Sequence, residues 1–500
     1  MLESVGPHLP ILIVIIPLLG SLLVAFTRSG NLAWLIASLS VLPLPVAAVL
    51  MTMSVLRTGQ PLVYEMGNWP APYGIVYKVD ALSGFVLCVV AAIAAVIMPF
   101  ARKSVATEIP SHQQSWFYAL YLLCLCGLLG IVITGDAFNA FVFLEISSLS
   151  SYALIALGRH RRALLAAYQY LIMGTIGATL YVIGVGLLYL TTGSLNFDDL
   201  AVRLAEADKT YHASLMAALG FMVVGICLKI ALFPLHVWLP NAYAYAPSFA
   251  TTFLAGTATK VALYLLIRVL FSVFGVAMVY DRLPISDVLV VLSVAAMFIA
   301  SVSAIFENNA KRMLAYSSLA QIGYITLGIG LANIHGLTGA LVHIANHAVI
   351  KTALFLALGA VVYRIGSAHY SDMAGLGRRM PLTMGAVVIA GLGLMGTPGT
   401  AGFISKWYLA LGAIDAGLWS VVFLIVASSL LSVIYVGRLT EVIFFREPSP
   451  RAMAARDPPL SMLVPLYVLA AATIYLGFDT RATAEIAATA AGFLVGGLTR

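Results

Sequence analysis

Apolar stretches long enough to cross a bilayer follow one another almost without pause along this chain, and no other feature constrains its fold as much. A spanning helix needs about 20 mainly apolar residues, because the hydrocarbon core is about 30 Å thick. No water reaches the backbone there, so only helices and closed barrels can cross. Uninterrupted apolar runs select helices. The predicted spans are 9–27, 31–55, 80–100, 116–134, 137–157, 163–190, 213–239, 248–273, 286–305, 311–332, 336–363, 381–413, 417–445 and 459–478. A last apolar piece, 484–497, is too short to cross and is expected in the interface. The fold class is an all-α integral membrane protein of about 14 transmembrane helices. The first apolar run has no basic start and no clear cleavage site, so it reads as a span and not as a cleaved signal.

Composition excludes a soluble globular protein. The 500 residues are 62% hydrophobic and 9% charged, against about 25% charged in soluble domains. The net charge of +7 does not mark a nucleic-acid binder, because the basic residues are scattered through short loops. They read as topology signals. With the N-terminus outside, inside loops hold Arg102 and Lys103, then Arg159, Arg161 and Arg162, then Lys311 and Arg312, then Arg378 and Arg379. The long loop 191–212 is acidic, with Asp198, Asp199, Glu206 and Asp208. This bias favours an even number of spans with both termini outside. Cys88, Cys124, Cys126 and Cys227 all lie in apolar runs and read as small buried side chains, not as disulfides or metal ligands.

An internal repeat is visible. Leu144–Gly158 reads LEISSLSSYALIALG and Leu314–Gly328 reads LAYSSLAQIGYITLG. The predicted topology sets the two in opposite orientation, so the chain divides into helices 1–3 (1–115), a first five-helix unit (116–273), an inverted second unit (286–445) and a C-terminal helix with its tail (446–500). Spans seven and twelve are broken at matching places, by Pro234 and by the run Gly396-Thr-Pro-Gly399. Proline removes a ladder hydrogen bond and glycine weakens a helix, so freed backbone at this depth must line a cavity or be buried in protein.

Ionisable residues sit inside these spans, where each costs about 2.5–3.5 kcal/mol on insertion scales. Glu145 lies among serines that can bond it, Ser148 included, and serves either transport or a structural ion pair. Lys229, one turn before the first break, needs a carboxylate, and Glu145 is the natural partner. Lys260 lies far from either span end, with no acid near it in sequence. His343, His347 and Lys351 repeat every four residues and share one helix face, as a proton relay or a structural stripe. A metal is disfavoured there, since Lys351 would repel it and no third ligand is evident. Lys406 follows the second break as the counterpart of the Lys229 region, with snorkelling as the alternative. His236, beside the first break, is a carbonyl partner or an auxiliary carrier. Asp80 and Asp136 read as interfacial, and Arg268 and Arg438 as snorkelling or paired, Arg438 with Glu441. Gly391–Gly396 matches a dinucleotide fingerprint but lies in an apolar span, so close helix packing is the plain reading. No nucleotide, flavin or cluster motif occurs, so no cofactor is expected and the energy must come from ion gradients or a partner.

Five segments occur together in order: FVFLEISSL around Glu145, LKIALFPLHVWLPNAY around Lys229, TKVALYLLIR around Lys260, the His343–Lys351 helix, and GFISKW around Lys406. The chain thereby resembles the antiporter-like membrane subunits shared by Mrp-type cation/proton antiporters, respiratory complex I and membrane-bound hydrogenases. Residues 67–74 and 379–383, with a lysine at 406, look most like the D-type member of Mrp antiporters. The resemblance implies proton translocation along Glu145, Lys229, Lys260, His343, His347, Lys351 and Lys406, within a complex of several membrane subunits. It implies a bacterial or archaeal inner membrane and exchange of protons for a monovalent cation, Na+ in the first place. The alternative it implies is the proton-pumping subunit of a redox-driven complex.

Overall fold

The computed structural model describes residues 6–281 and 283–496. Helices α1 (Leu9–Ala25), α2 (Gly30–Val41) and α3 (Leu44–Thr58) come first. Predicted span two is α2 and α3 together, interrupted around Pro43, whose ring offers no backbone donor. A hairpin follows that helical periodicity could not show: β1 (Leu62–Glu65) pairs antiparallel with β2 (Val76–Val79), Leu62 facing Val79. Helix α4 (Ala81–Val96) opens on a capping box, with Ser83 N donating to Asp80 Oδ1 at 2.9 Å and Asp80 N to Ser83 Oγ at 2.8 Å. Asp80 also pairs with Arg268, the charged side chain predicted to be paired or to snorkel. At Ile97 the chain bends by 54° into α5 (Met98–Glu108), where Pro99 starts the new helix.

The first five-helix set is α6 (Gln114–Ile133), α7 (Ala137–Ala156), α8 (Arg162–Thr192), the broken pair α9 (Phe197–Ile230) with α10 (Trp238–Tyr245), and α11 (Ser248–Ile267), which runs on as a π-helix to Val273. The predicted acidic loop 191–212 is mostly the start of α9. Asn196 caps it by accepting from Asp198 N and Asp199 N, and acidic residues in a first turn suit the helix dipole. The second set is α12 (Ile285–Phe306), α13 (Ala310–Gly330), α14 (Ile334–Ile365), the broken pair α15 (Pro381–Met395) with α16 (Ala401–Asp415), and α17 (Trp419–Phe444). Helices α18 (Leu460–Phe478) and α19 (Ile486–Gly496) close the chain. The short piece predicted for the interface packs on α4 and α14, with Ala487, Ala490 and Ala491 buried; residue 497 lies outside the described residues.

Among the described residues, 11 helices are long and apolar enough to cross a membrane, or 12 if the bent pair is one span. The two remaining predicted spans are α13 and the broken α15–α16. Helix α13 carries Lys311, Ser317, Ser318 and Gln321 yet is almost wholly buried, so its polar groups face protein and not lipid.

The two sets share a construction that the sequence repeat only hints at. In the first, the turn before α7 bridges the turn after α8: Ala137 N donates to Leu195 O and Phe197 N to Gly135 O, both at 2.8 Å. In the second, the turn before α13 bridges the turn after α14: Ala310 N donates to Ala368 O at 2.8 Å and Tyr370 N to Asn308 O at 3.0 Å. Asp136 and Asn309 cap the helices that follow, which is the role of Asp136, read from sequence as merely interfacial. The turn just after α7, with Arg159 and His160, and the start of α13, with Lys311 and Arg312, line one cavity, so these two helices run in opposite directions, as an inverted repeat requires. Arg438 does not pair with Glu441; it donates to the carbonyls of Ile305 and Glu307, and Glu441 pairs with Arg446.

Candidate functional site

Each broken span frees carbonyls at its break, and those carbonyls organise what lies beside them. Helix α9 ends with Ala231 in the left-handed region, φ 62°, and Leu232 N returns to Cys227 O at 3.0 Å. The carbonyl of Leu228 accepts from the Trp238 indole at 3.0 Å, across the break. That indole lies flat on Tyr170, with ring centroids 3.7 Å apart. Helix α15 ends with Gly396 at φ 82°, and Thr397 N returns to Leu392 O at 3.2 Å.

Lys229, in the last turn of α9, points at α7. Its ammonium donates to Ser148 Oγ at 2.6 Å and Tyr152 OH at 3.2 Å. Glu145 Oε1 stands 3.9 Å away and has no hydrogen-bond partner among the described residues. The predicted Glu145–Lys229 pair is therefore brought together, with Ser148 between its members. The lysine is buried, whereas the Glu145 side chain keeps 24% of its surface open at the outer face of α7. A cavity of about 30 Å³ lies between Ser148, Lys229 and the Ala258–Ala262 face of α11. That is room for about one water.

Lys260 is fully buried on α11 and donates to the Ala255 carbonyl and, at 3.4 Å, to Thr259 Oγ1. It does not snorkel. Helix α11, which carries Lys260, packs on α14, which carries His347 and Lys351. Lys351, also fully buried, donates to Leu314 O at 2.9 Å and to Ser317 Oγ. His343 and His347 stack with centroids 6.1 Å apart. His343 is held at both nitrogens, by Ser405 Oγ at 2.8 Å and Gln321 Oε1 at 2.9 Å; His347 has a hydrogen-bond partner at neither among the described residues. Lys406, on α16, donates back to Met395 O at 2.9 Å and Leu394 O at 3.4 Å, the carbonyls freed where α15 ends, and its ammonium sits 4.8 Å from the centroid of the Tyr324 ring.

Contacts and packing bring Glu145 to Lys229, set α11 with Lys260 on α14 with Lys351 and His347, stack His347 on His343, and join His343 to Ser405, next to Lys406 on α16. His236 stands apart, in the turn of the first break, stacked on Phe233. Lys406 is not laid out as Lys229 is: one lysine precedes its break and reaches side chains, the other follows its break and reaches backbone. Sequence reasoning missed Tyr152, Gln321, Tyr324 and Ser317. The repeat carried a signal for two of them, since Ser317 and Gln321 occupy the positions of Ser147 and Ser151 in the aligned segments.

Comparison with known proteins identifies the family. The family described as NADH:quinone oxidoreductase/Mrp antiporter, TM, matches residues 134–432. The chain is 44% identical over 493 residues to the N-type subunit of NADH-quinone oxidoreductase from Desulforudis audaxviator (strain MP104C), covering 94% of this chain and 95% of that one. It is 30% identical over 472 residues to the D-type subunit of the Na(+)/H(+) antiporter from Alkalihalophilus pseudofirmus, covering 94% of each. A chain of the Mrp complex from Dietzia sp. DQ12-45-1b superimposes with a TM-score of 0.89 at 26% identity, covering 99% of this chain and 98% of that one.

Proposed function

Because the chain belongs to the NADH:quinone oxidoreductase/Mrp antiporter transmembrane family, we propose that it moves protons sideways through the membrane plane along the buried Glu145–Lys406 line. The observation that carries this is the line itself. Four lysines and two histidines are buried at membrane depth, and among the described residues Glu145 is the one carboxylate in an ion pair with any of them. Burying unpaired ammonium groups is costly, so such a row serves charge movement better than stability. Each group's proton depends on its neighbours, because like charges this close repel and Glu145 attracts. A proton arriving at Lys229 disfavours one on Lys260, and the displacement passes on through Lys351 and the histidines to Lys406. The cavity beside Lys229 has room for a water that continues the relay toward α11. Protons enter through one five-helix set and leave through the other, and each unit charge that thereby crosses 100 mV exchanges about 2.3 kcal/mol, the energy available to the line.

The protein works within a complex of other membrane subunits in a bacterial or archaeal cytoplasmic membrane, both termini outside. In an Mrp-type assembly the proton flow drives efflux of a monovalent cation, Na+ in the first place, and the likeness to the D-type antiporter chains supports this. The 44% identity to an N-type oxidoreductase chain favours a second reading, in which a peripheral oxidoreductase drives the same line as a pump. Two measurements test these claims. In proteoliposomes holding the native complex, Lys260→Met should bring proton flux to background while assembly is kept; unaltered flux would remove the central lysine from the path. A tagged pull-down in mild detergent separates the assemblies: small membrane proteins alone support the antiporter, and co-purifying flavin, iron–sulfur or nickel proteins support the pump.

A further inference from the structure

A cavity of about 820 Å³ opens between the two five-helix sets on the face that carries the basic loops. Its chemistry is distinct from that of the proton line. Arg159, Arg162, Lys311 and Arg312 line it, and the first three have neutral hydrogen-bond partners. Arg159 donates to the carbonyls of Thr107 and Glu108. Arg162 donates to Tyr245 OH at 3.0 Å, and Lys311 to Ser248 Oγ at 3.0 Å. Lys311 is only 4% exposed, so its charge is held in the floor of the cavity and not at its rim. The acids nearby are already engaged. Glu108, in electrostatic range of Lys311, accepts from Ser248 N at 2.9 Å, Ser248 Oγ at 3.1 Å and Ser104 Oγ at 3.0 Å. Glu307 pairs at 3.1 Å with Arg312, whose buried Nε has no hydrogen-bond partner among the described residues.

A second feature adjoins the first. Where α12 ends at the cavity wall, Ile299, Val302 and Phe306 stand outward on one helix face, Phe306 with 75% of its surface open. A basic recess beside an apolar ridge fits a molecule that is anionic at one end and apolar along the rest.

We infer that this recess binds a phosphate group, and that the phosphate is the headgroup of an anionic membrane lipid whose chain lies along the α12 ridge. Arginine suits phosphate because its planar fork donates two bonds at once, and a cation with only neutral partners gains most from an arriving anion. A free phosphate ion would satisfy the same donors but leave the ridge unused. This inference concerns a site apart from the proton line and holds in either assembly.

The test uses the intact complex in nanodiscs of equal phosphatidylglycerol and phosphatidylcholine, followed by native mass spectrometry of retained lipid. Preferential retention of phosphatidylglycerol is expected, weakened by about ten-fold in Arg159→Gln/Arg162→Gln. Ile299→Ser/Val302→Ser keeps the cations and should weaken retention of the lipid while leaving inorganic phosphate binding unchanged. If inorganic phosphate binds the wild-type complex and displaces phosphatidylglycerol, and the ridge variant retains lipid normally, the occupant is a free anion and the lipid assignment falls. Equal retention of the two lipids, with no phosphate binding, overturns the site altogether.

Discussion

The two broken spans solve one problem in different ways. Both interrupt a helix inside the membrane and both place a lysine near the gap. At the first, the break closes on itself: Trp238 caps Leu228 O, and Lys229 is left to deal with the side chains of Ser148, Tyr152 and Glu145. At the second, the carbonyls of Leu394 and Met395 stay open and Lys406 caps them. A cation at a helix C-terminus is stabilised by the dipole and by direct bonds to the last carbonyls. So Lys406 holds the end of α15 to α16 through backbone carbonyls, whereas Lys229 is held by polar side chains of α7. The difference teaches that matching positions along the proposed proton line need not mean equal structural duty.

The largest expected effect falls on transport and tests whether the two ends are one line. Lys229→Ala and Lys406→Ala should each bring proton flux in reconstituted complex to background, with membrane insertion intact. If either variant kept half of the flux, the two sets would conduct independently and the continuous line would be wrong. Next comes stability, where the ends should part. Lys406→Met leaves two carbonyls uncapped and should lower stability by about 1 kcal/mol, within the range known for cations at helix ends. Lys229→Met leaves Glu145 without its cation, but that carboxylate is partly open and the hydroxyls of Ser148 and Tyr152 can bond elsewhere, so the fall in melting midpoint in detergent should be smaller than for Lys406→Met. Equal losses in the two variants would erase the contrast.

The glycine at the second break sharpens it further. Gly396 sits at φ 82°, and a Cβ there would stand 2.9 Å from Lys406 Cδ. Gly396→Ala should therefore cost about 1–2 kcal/mol in backbone strain and push the lysine off its carbonyls, slowing proton flux as well. A stable variant with full flux would show that Lys406 does not need the carbonyls.

Much of this is legible in the sequence, for a physical reason. A charge inside an apolar run is so costly that its presence announces itself, and Glu145, Lys229, Lys260, His343, His347, Lys351 and Lys406 all stand out in that way. Pro234 and the Gly396–Gly399 run betray the breaks through the same backbone arithmetic. What stays hidden are residues of ordinary type whose importance lies in where they point. Tyr152, Tyr324 and Gln321 look like any polar residue on a helix until tertiary packing aims them at Lys229, Lys406 and His343. Lys311 reads as a loop charge because it stands at a helix start, yet packing between the two sets buries it. The acidic stretch after residue 196 reads as loop because its polarity masks the first turns of a 34-residue helix whose later part is apolar.

The smallest effect is expected at the first break and is a gain. Ala231 occupies the left-handed region that glycine fills at the second break, and a side chain there costs about 1–2 kcal/mol. Glycine relieves that strain but adds freedom to the unfolded chain, which returns about 0.4–1 kcal/mol of the benefit. Ala231→Gly should thus raise stability by roughly 0–1.6 kcal/mol. Flux should be unchanged, because Lys229 takes its hold from α7 and not from the carbonyls of the break. A rise in melting midpoint without a change in flux would separate the backbone of the first break from its lysine. A fall in flux would mean that Ala231 sets the aim of Lys229, and that the first break, like the second, positions its charge through the backbone.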